Sequence, residues 1–315
     1  MNFHVKNWFR IGHKLSWKLS WYSLNTLLYF FKPFQSDRRF RTVRKKHEFV
    51  FHHLEPIYKQ NALDFKDNSN ELEPLENKNI WVFWAQGEEN APDIVKLCLR
   101  SIRKHAGDAT VHVLTKETVR DYIEIPDYMW KQYEQGHMTL AFLTDYMRIS
   151  LLQKYGGLWL DATILVTKDI PDYVFQNSFF SLHTPYEKTI FVNDNKVHCY
   201  VMGGRKGFSL FEYIKDSVET YWKTHDYMVD YYLIDYTIMF GYKTNPEIRK
   251  VIDSLEYTPS SLYQIIDEIN DPLDEERLLK VEEENIFSKL NWRITPKETV
   301  KGKRTNYSLL REQYN

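Results

Sequence analysis

The segment "LTDYMRISLLQKYGGLWLDAT", Leu143 to Thr163, holds two acids and a base at spacings that suit chemistry. Asp145 and Arg148 lie three apart in an apolar run with helical patterning over 140–155, so their side chains share a face. Leu143, Met147, Leu151 and Leu152 supply the face that packs. Gly156 and Gly157 end the helix, because a left-handed cap costs glycine little. Leu158 to Leu160 then read as a short buried strand, with Asp161 where it runs out. Ligands of open α/β sheets bind outside the carboxyl ends of strands, which puts Asp161 at a ligand position. A carboxylate there suits sugar or ribose hydroxyls, or a divalent cation beside a diphosphate. Arg148 could hold a second oxygen or orient Asp145. Taken singly, these residues are better explained as a helical ion pair, worth roughly 0.2–0.5 kcal/mol, and a plain strand-end carboxylate. Together, around a Gly-Gly return, they point to a site.

The elements that must position them alternate in type. Ile80 to Trp84, "IWVFW", is a continuous apolar run, the pattern of a buried strand. Pro92 opens a helical pattern with Ile94, Val95, Cys98 and Ile102 on one side, closed by Ala106 and Gly107. Thr110 to Leu114 is a second strand, so a parallel, right-handed βαβ unit stands at the front of an α/β fold. Strands are predicted over 164–170, 179–183 and 198–204. Helices are predicted over 208–222 and 228–240, the second carrying Asp230 and Asp235. Residues 203–207, "GGRKG", put Arg205 and Lys206 beside flexible backbone and could hold phosphate or the acceptor side of a cleft.

Charge is unevenly spread. Residues 1–60 contain 12 Lys/Arg against 3 Asp/Glu, while the remaining 255 contain 30 against 40, so a basic, aromatic segment precedes an acidic body. Such asymmetry suggests an anionic surface as partner. Only 13 residues separate Lys18 from Lys32, fewer than the roughly 20 that a membrane span needs. No small-residue cleavage site marks a secretory signal. Trp17, Trp21, Leu24, Leu27, Leu28 and Phe31 recur at helical spacing between Lys14, Lys18 and Lys32, as in a helix lying in a headgroup layer. "RRFRTVRKK", Arg38 to Lys46, would add attraction to anionic lipid. A helix packed on the main body with solvated basic residues explains the same pattern. No nucleic-acid-binding motif accompanies the basic and aromatic residues, so no nucleic acid is expected as partner. Cys98 and Cys199 lack metal-ligand spacing and read as reduced thiols of a cytoplasmic protein.

The central segment resembles a family of glycosyltransferases that includes the capsular polysaccharide synthesis transferases and, more distantly, yeast-type initiating mannosyltransferase relatives and toxin glucosyltransferases. Ala141, Thr144, Asp145, Arg148, Tyr155, Gly156, Gly157, Trp159 and Asp161 carry the shared pattern. "IWVFWAQGEENAP" (80–92), "YYLIDY" (231–236) and "SKLNWR" (288–293) look like the capsular branch, and the likeness spans about residues 78–295. The resemblance implies a retaining enzyme of family-32 type with a GT-A fold, a Rossmann-like mixed central sheet flanked by helices. It also implies a divalent metal, Mn2+ or Mg2+, and a nucleotide-sugar donor, with UDP-galactose or UDP-glucose preferred. By the same analogy Asp145, Arg148 and Asp161 hold the donor sugar or ribose, Trp84 stacks on the base, and Gln86 stands beside it. Ser288, Lys289 and Trp292 would close on the diphosphate. Asp235 would be an additional carboxylate near acceptor or metal; a buried aspartate satisfied by its neighbours accounts for it equally.

One departure concerns the metal. The family's motif is Asp-x-Asp, whereas here it reads Asp161-Ala162-Thr163, leaving Asp161 and Thr163 as the expected ligands. The expected division is therefore a basic aromatic helical segment over 1–75 and a GT-A domain over 76–315. The expected reaction is hexosyl transfer to a lipid-linked saccharide of bacterial capsular or exopolysaccharide synthesis, on the inner face of the cell membrane. The alternatives are a non-catalytic nucleotide-sugar-binding subunit, degenerate through Thr163, and a metal-dependent hydrolase, for which the scattered histidines offer no ligand set.

Overall fold

The computed structural model describes residue 11 and residues 14–29, 36–184 and 189–315. Helices α1 (Trp17–Tyr29) and α2 (Asp37–Asp64) lead into strand β1 (Asn79–Phe83), helix α3 (Asp93–Lys104) and strand β2 (Thr110–Leu114). Helices α4 (Asp127–Glu134) and α5 (Leu140–Tyr155) precede strands β3 (Gly157–Leu160) and β4 (Ile164–Val166). The chain continues through α6 (Tyr173–Gln176), β5 (Phe179–Leu182), β6 (His198–Gly204), α7 (Ser209–Thr224), α8 (Leu233–Thr244) and α9 (Pro246–Asp253). Near the C-terminus β7 (Phe287–Lys289) returns to pair antiparallel with β4.

Five strands form one mixed sheet in the order β2-β1-β3-β6-β5. The β2, β1 and β3 strands are mutually parallel, while β6 runs antiparallel to both β3 and β5. The front of the fold is thus the expected βαβ unit within a Rossmann-like mixed sheet flanked by helices. Strand periodicity explains the two layers of core. Trp81, Phe83, Trp159 and Met202 project to the side covered by α2, α5, α7 and α8. Ile80, Val82, Leu158, Leu160 and Val201 project to the other, against Val95, Leu99 and Ile102 of α3.

Two expectations change. The predicted helix over 228–240 starts only at Leu233. Asp230 lies before it, where its carboxylate accepts from the Lys46 ammonium of α2 at 2.7 Å and from the backbone N–H of Tyr232 at 3.0 Å. An acid committed to a long-range partner and its own i+2 amide favours a turn over a helix. The strand expected over 164–170 stops at Val166, where pairing with β7 ends.

Val50, Leu54, Tyr58 and Ala62 of α2 are wholly buried in the core layer that covers Trp81 and Trp159. Residues on both sides of the division expected at 75/76 therefore share one core layer. On α1 the inward face is Leu19, Ser20, Asn25 and Thr26, while Trp17 and Trp21 are 50% and 58% exposed. The aromatic stripe read from the sequence thus faces out along this part of the helix; Phe31 and Lys32 lie outside the described residues. No helix among the described residues is long and apolar enough to cross a membrane.

Candidate active site

Spacing sets the level of each group around the glycine return. Arg148 precedes Gly156 by eight residues of helix, a rise of about 12 Å. Asp161 follows Gly157 by four residues of extended chain, about 13 Å. Helix and strand therefore bring the two groups to one height. The period of two also aims Asp161 to the same side as Trp159, the side that α5 covers. The return itself is tight. Gly156 takes φ 66° and ψ −164°, a region essentially confined to glycine, in place of the expected left-handed cap. At Gly157, with φ 102°, an added Cβ would meet the Asn79 carbonyl oxygen at 2.3 Å. Trp81 Nε1 donates to the Gly156 carbonyl at 2.9 Å and ties the return to β1.

The three expected residues do converge. Arg148, only 4% exposed, donates from one guanidinium nitrogen to Asp145 Oδ1 at 2.5 Å and from the other to Asp161 Oδ1 at 3.0 Å. Its guanidinium carbon lies 5.0 Å over the Trp159 ring, whose Nε1 also donates to Asp161 Oδ1 at 3.0 Å. Lys289 arrives from β7 and donates to Asp161 Oδ2 at 2.9 Å and to Thr163 Oγ1 at 3.0 Å. The Asp145 and Asp161 side chains stay 18% and 30% exposed, so this network keeps an open rim.

The electrostatics separate the acids. Burial works to raise the Asp161 carboxyl, but Lys289 and then Arg148 outweigh it and hold the group at about 2. Burial pushes Asp145 up to about 6, with Arg148 opposing and Asp161 adding to the rise. Asp235, in the first turn of α8, is pushed to about 7 by burial and then by the charge of Asp145. Its carboxylate accepts from Asn193 Nδ2 at 2.6 Å. Asp161 is the fixed anion; Asp145 and Asp235 can exchange protons near neutrality.

The other predicted residues divide. Register places Trp84 just past β1, beside the end of β3, so it shares the sheet edge with Asp161. Its ring meets Trp292 edge-on at 5.9 Å, and its Nε1 is buried with no hydrogen-bond partner. Trp292 is exposed and lies under the Arg293 guanidinium. Gln86 is exposed, with its carbonyl accepting from Asn90 Nδ2 at 3.0 Å. Ser288 is a correction: it is fully buried and its hydroxyl has no partner, because alternation along β7 turns it away from the cleft that Lys289 faces.

Arg205 and Lys206 are a second correction. Gly204 pairs with Gly157 and Val201 with Leu160, so "GGRKG" lies at the opposite end of β3 from Asp161. Arg205 there donates to the Leu72 carbonyl. A cavity of about 690 Å³ near Tyr173, Phe180 and Phe287 contains none of Asp145, Arg148, Asp161, Asp235 or Lys289. Converging charges mark the site, not volume.

Sequence reading missed the parts played by Asn193, Tyr200 and Cys199. Asn193 precedes two left-handed residues, Asp194 and Asn195, and the "NDN" turn signal was present but carried no hint of its distant partner. Tyr200 accepts from the Asp161 backbone N–H at 2.9 Å, and its ring lies 4.7 Å from Lys289 Nζ. Cys98 and Cys199 are free thiols, and burial, then the Asp235 charge, drives the Cys199 thiol well above its ordinary range.

The donor set at Asp161 and Thr163 decides whether the expected metal fits. A hard divalent ion takes six or more oxygens, preferably with several carboxylates. Asp161 and Thr163 offer one carboxylate and one neutral hydroxyl, and both already receive the Lys289 ammonium. Asp145 is held by Arg148. The residues present do not fit a resident divalent ion.

Residues 30–309 match the model of a family described as capsular polysaccharide synthesis protein. The chain belongs to that family. Membership reaches back through α2, well before the start expected near residue 78. The chain is 26% identical over 228 residues to the O-glycosyltransferase braB of Annulohypoxylon truncatum, covering 65% of this chain and 52% of that protein. It is 27% identical over 161 residues to the glycosyltransferase afumC of Aspergillus fumigatus, covering 47% and 41%. The chain spans about half the length of these curated relatives. Among solved structures it is similar to the PaToxG glycosyltransferase, with a TM-score of 0.41 and 16% identity over 70% of this chain and 84% of that one.

Proposed function

We propose that this family member is a retaining glycosyltransferase that moves a hexose, galactose or glucose preferred, from a UDP-sugar to a hydroxyl of a lipid-linked saccharide. The observation that carries the reading is the meeting of Asp145, Arg148 and Asp161 at the carboxyl edge of the parallel strands. Relatives that bear the name O-glycosyltransferase support a hydroxyl as acceptor. Those relatives are fungal, so the bacterial setting rests on the family description alone.

In this reading the nucleotide base stacks on Trp84, and the sugar hydroxyls bind Asp145, Arg148 and Asp161. Holding the ring in one pose is a positioning effect that can supply much of the rate. The bond from the anomeric carbon to the β-phosphate oxygen breaks with its electron pair on that oxygen. The acceptor oxygen then bonds on the same face, and its proton passes to the departing phosphate. No protein nucleophile is required. In the same reading Asp235 would accept a hydrogen bond from the acceptor or the sugar.

The N-terminal segment would bring this cleft to an anionic membrane surface at the cytoplasmic face. Trp17 and Trp21 project outward, and Lys18, Arg38, Arg41 and Lys45 are exposed nearby in sequence. Apolar side chains flanked by basic ones match an interfacial helix. Flotation with anionic vesicles tests it: the full chain should rise with lipid, and Trp17→Ala with Trp21→Ala should stay behind. Recovery of both in the soluble fraction would remove the membrane role.

For the transfer itself, a panel of UDP-sugars is assayed for donor hydrolysis and for transfer to saccharide acceptors. Asp145→Asn and Asp161→Asn should each lower turnover about 10²–10³-fold. Full turnover in both variants would mean the chemistry lies elsewhere.

A further inference from the structure

Lys289 occupies an unusual place. Its ammonium sits between Asp161 Oδ2 and Thr163 Oγ1, the two groups that the resemblance assigns to a metal. We propose that this ammonium is the fixed cation of the site and meets the diphosphate of the bound nucleotide in place of a divalent ion. The inference rests on the nucleotide-sugar reading above.

Geometry holds the ammonium in place. Lys289 is paired to Ile164 in the β4–β7 ladder, and the N–H of Leu290 donates to the Thr163 carbonyl at 2.8 Å. Backbone register therefore fixes the root of the side chain opposite Ile164, one residue from Thr163, and the Tyr200 ring backs its tip at 4.7 Å. Charge agrees. Arg148 and Lys289 already match Asp145 and Asp161, so an added divalent ion would sit against two cations that share one carboxylate.

Valence agrees as well. An ammonium has three donors, and Asp161 and Thr163 take two. The third is left for a phosphate oxygen, and the side chain is 20% exposed. As the anomeric C–O bond breaks, negative charge grows on the β-phosphate. Lys289 gives up no proton; its charge, already oriented, opposes that growth. Asp161 then serves two ends at once, holding Arg148 through one oxygen and Lys289 through the other.

Titration calorimetry of UDP against the full chain, once in EDTA and once in Mn2+, reads the proposal directly. UDP affinity should agree within threefold between the two. Lys289→Met should lower affinity in EDTA at least tenfold, and Lys289→Arg should recover most of it, with thermal melts confirming that both fold. Mn2+ alone, followed by EPR, should remain free beside the wild-type chain. If Lys289→Met does not fold, the wild-type comparison decides alone. A tenfold or greater gain of UDP affinity from Mn2+ overturns the fixed-cation proposal and leaves the transferase reading standing. If neither UDP nor any other nucleoside diphosphate binds in either condition, both fall together.

Discussion

Two ionic clusters in this molecule use the same side-chain chemistry to different ends. Lys46 and Asp230 form a closed pair at 2.7 Å, with side chains only 3% and 6% exposed. Asp230 accepts the Tyr232 amide on its other oxygen, and burial closes the pair to any ligand. The pair fastens α2 to the segment that leads into α8. At the sheet edge, Asp145, Arg148, Asp161 and Lys289 share contacts in a chain whose acids keep an open rim. Asp235 beside them has an amide partner, Asn193, and no ion-pair partner among the described residues. The difference teaches that satisfaction, more than charge, separates a staple from a site. A closed pair has no capacity for a ligand; an open network does.

The largest expected effect breaks the open cluster. Asp161→Asn removes the anion that Arg148 and Lys289 share, and kcat/KM should fall about 10²–10³-fold, the range seen when a preorganised electrostatic group is lost. Steady-state kinetics with the best UDP-sugar measure it. The closed cluster should answer in stability instead. Asp230→Ala strands a buried ammonium and should cost about 3–5 kcal/mol in urea unfolding, with turnover per folded molecule little changed. Replacing both partners, Lys46→Met with Asp230→Leu, should restore most of that stability. A full loss of turnover in the folded double variant would erase the contrast drawn here.

A smaller effect sharpens the edge of the site. Trp84→Ala should raise KM for the donor about tenfold, in line with roughly 1–3 kcal/mol for a stacked base, and leave kcat nearer its original value. An unchanged KM would place the base elsewhere. The smallest effect is in the pH dependence of Asp235. Its carboxyl titrates at about 7 in the folded chain against 3.8 in the unfolded one, so the folded state binds the extra proton between those values. Wild-type stability conferred by that proton is present below about pH 4 and is lost as pH rises through 7. Asp235→Asn lacks this loss, so its Tm relative to wild type should climb by a few degrees from pH 5 to pH 8. A constant difference would mean that Asp235 stays ionised throughout.

Much of the front of the fold was legible because its signals are local. The apolar run at Ile80–Trp84, the amphipathic helix of Ile94, Val95, Cys98 and Ile102, and the strand from Thr110 predicted β1, α3 and β2 nearly to the residue. The helix over 228–240 was misjudged because Met228, Val229 and Tyr231 are apolar, while the turn there is set by the distant Lys46. "GGRKG" looked like a phosphate loop by composition, and only the antiparallel register of β6 put it at the wrong end of the sheet.

The sequence by itself determined that Asp145, Arg148 and Asp161 would meet. Helical rise, strand rise and the intervening glycines are short-range geometry, and they bring eight helical residues and four extended ones to one height. What only the tertiary structure decided is the company those residues keep. Lys289 reaches Asp161 across 128 positions of chain, Asn193 reaches Asp235 across 42, and Ser288 is turned inward by a ladder formed with β4. Contacts over such separations follow from how the layers pack and which strands pair. Those are properties of the whole chain, and no local pattern encodes them.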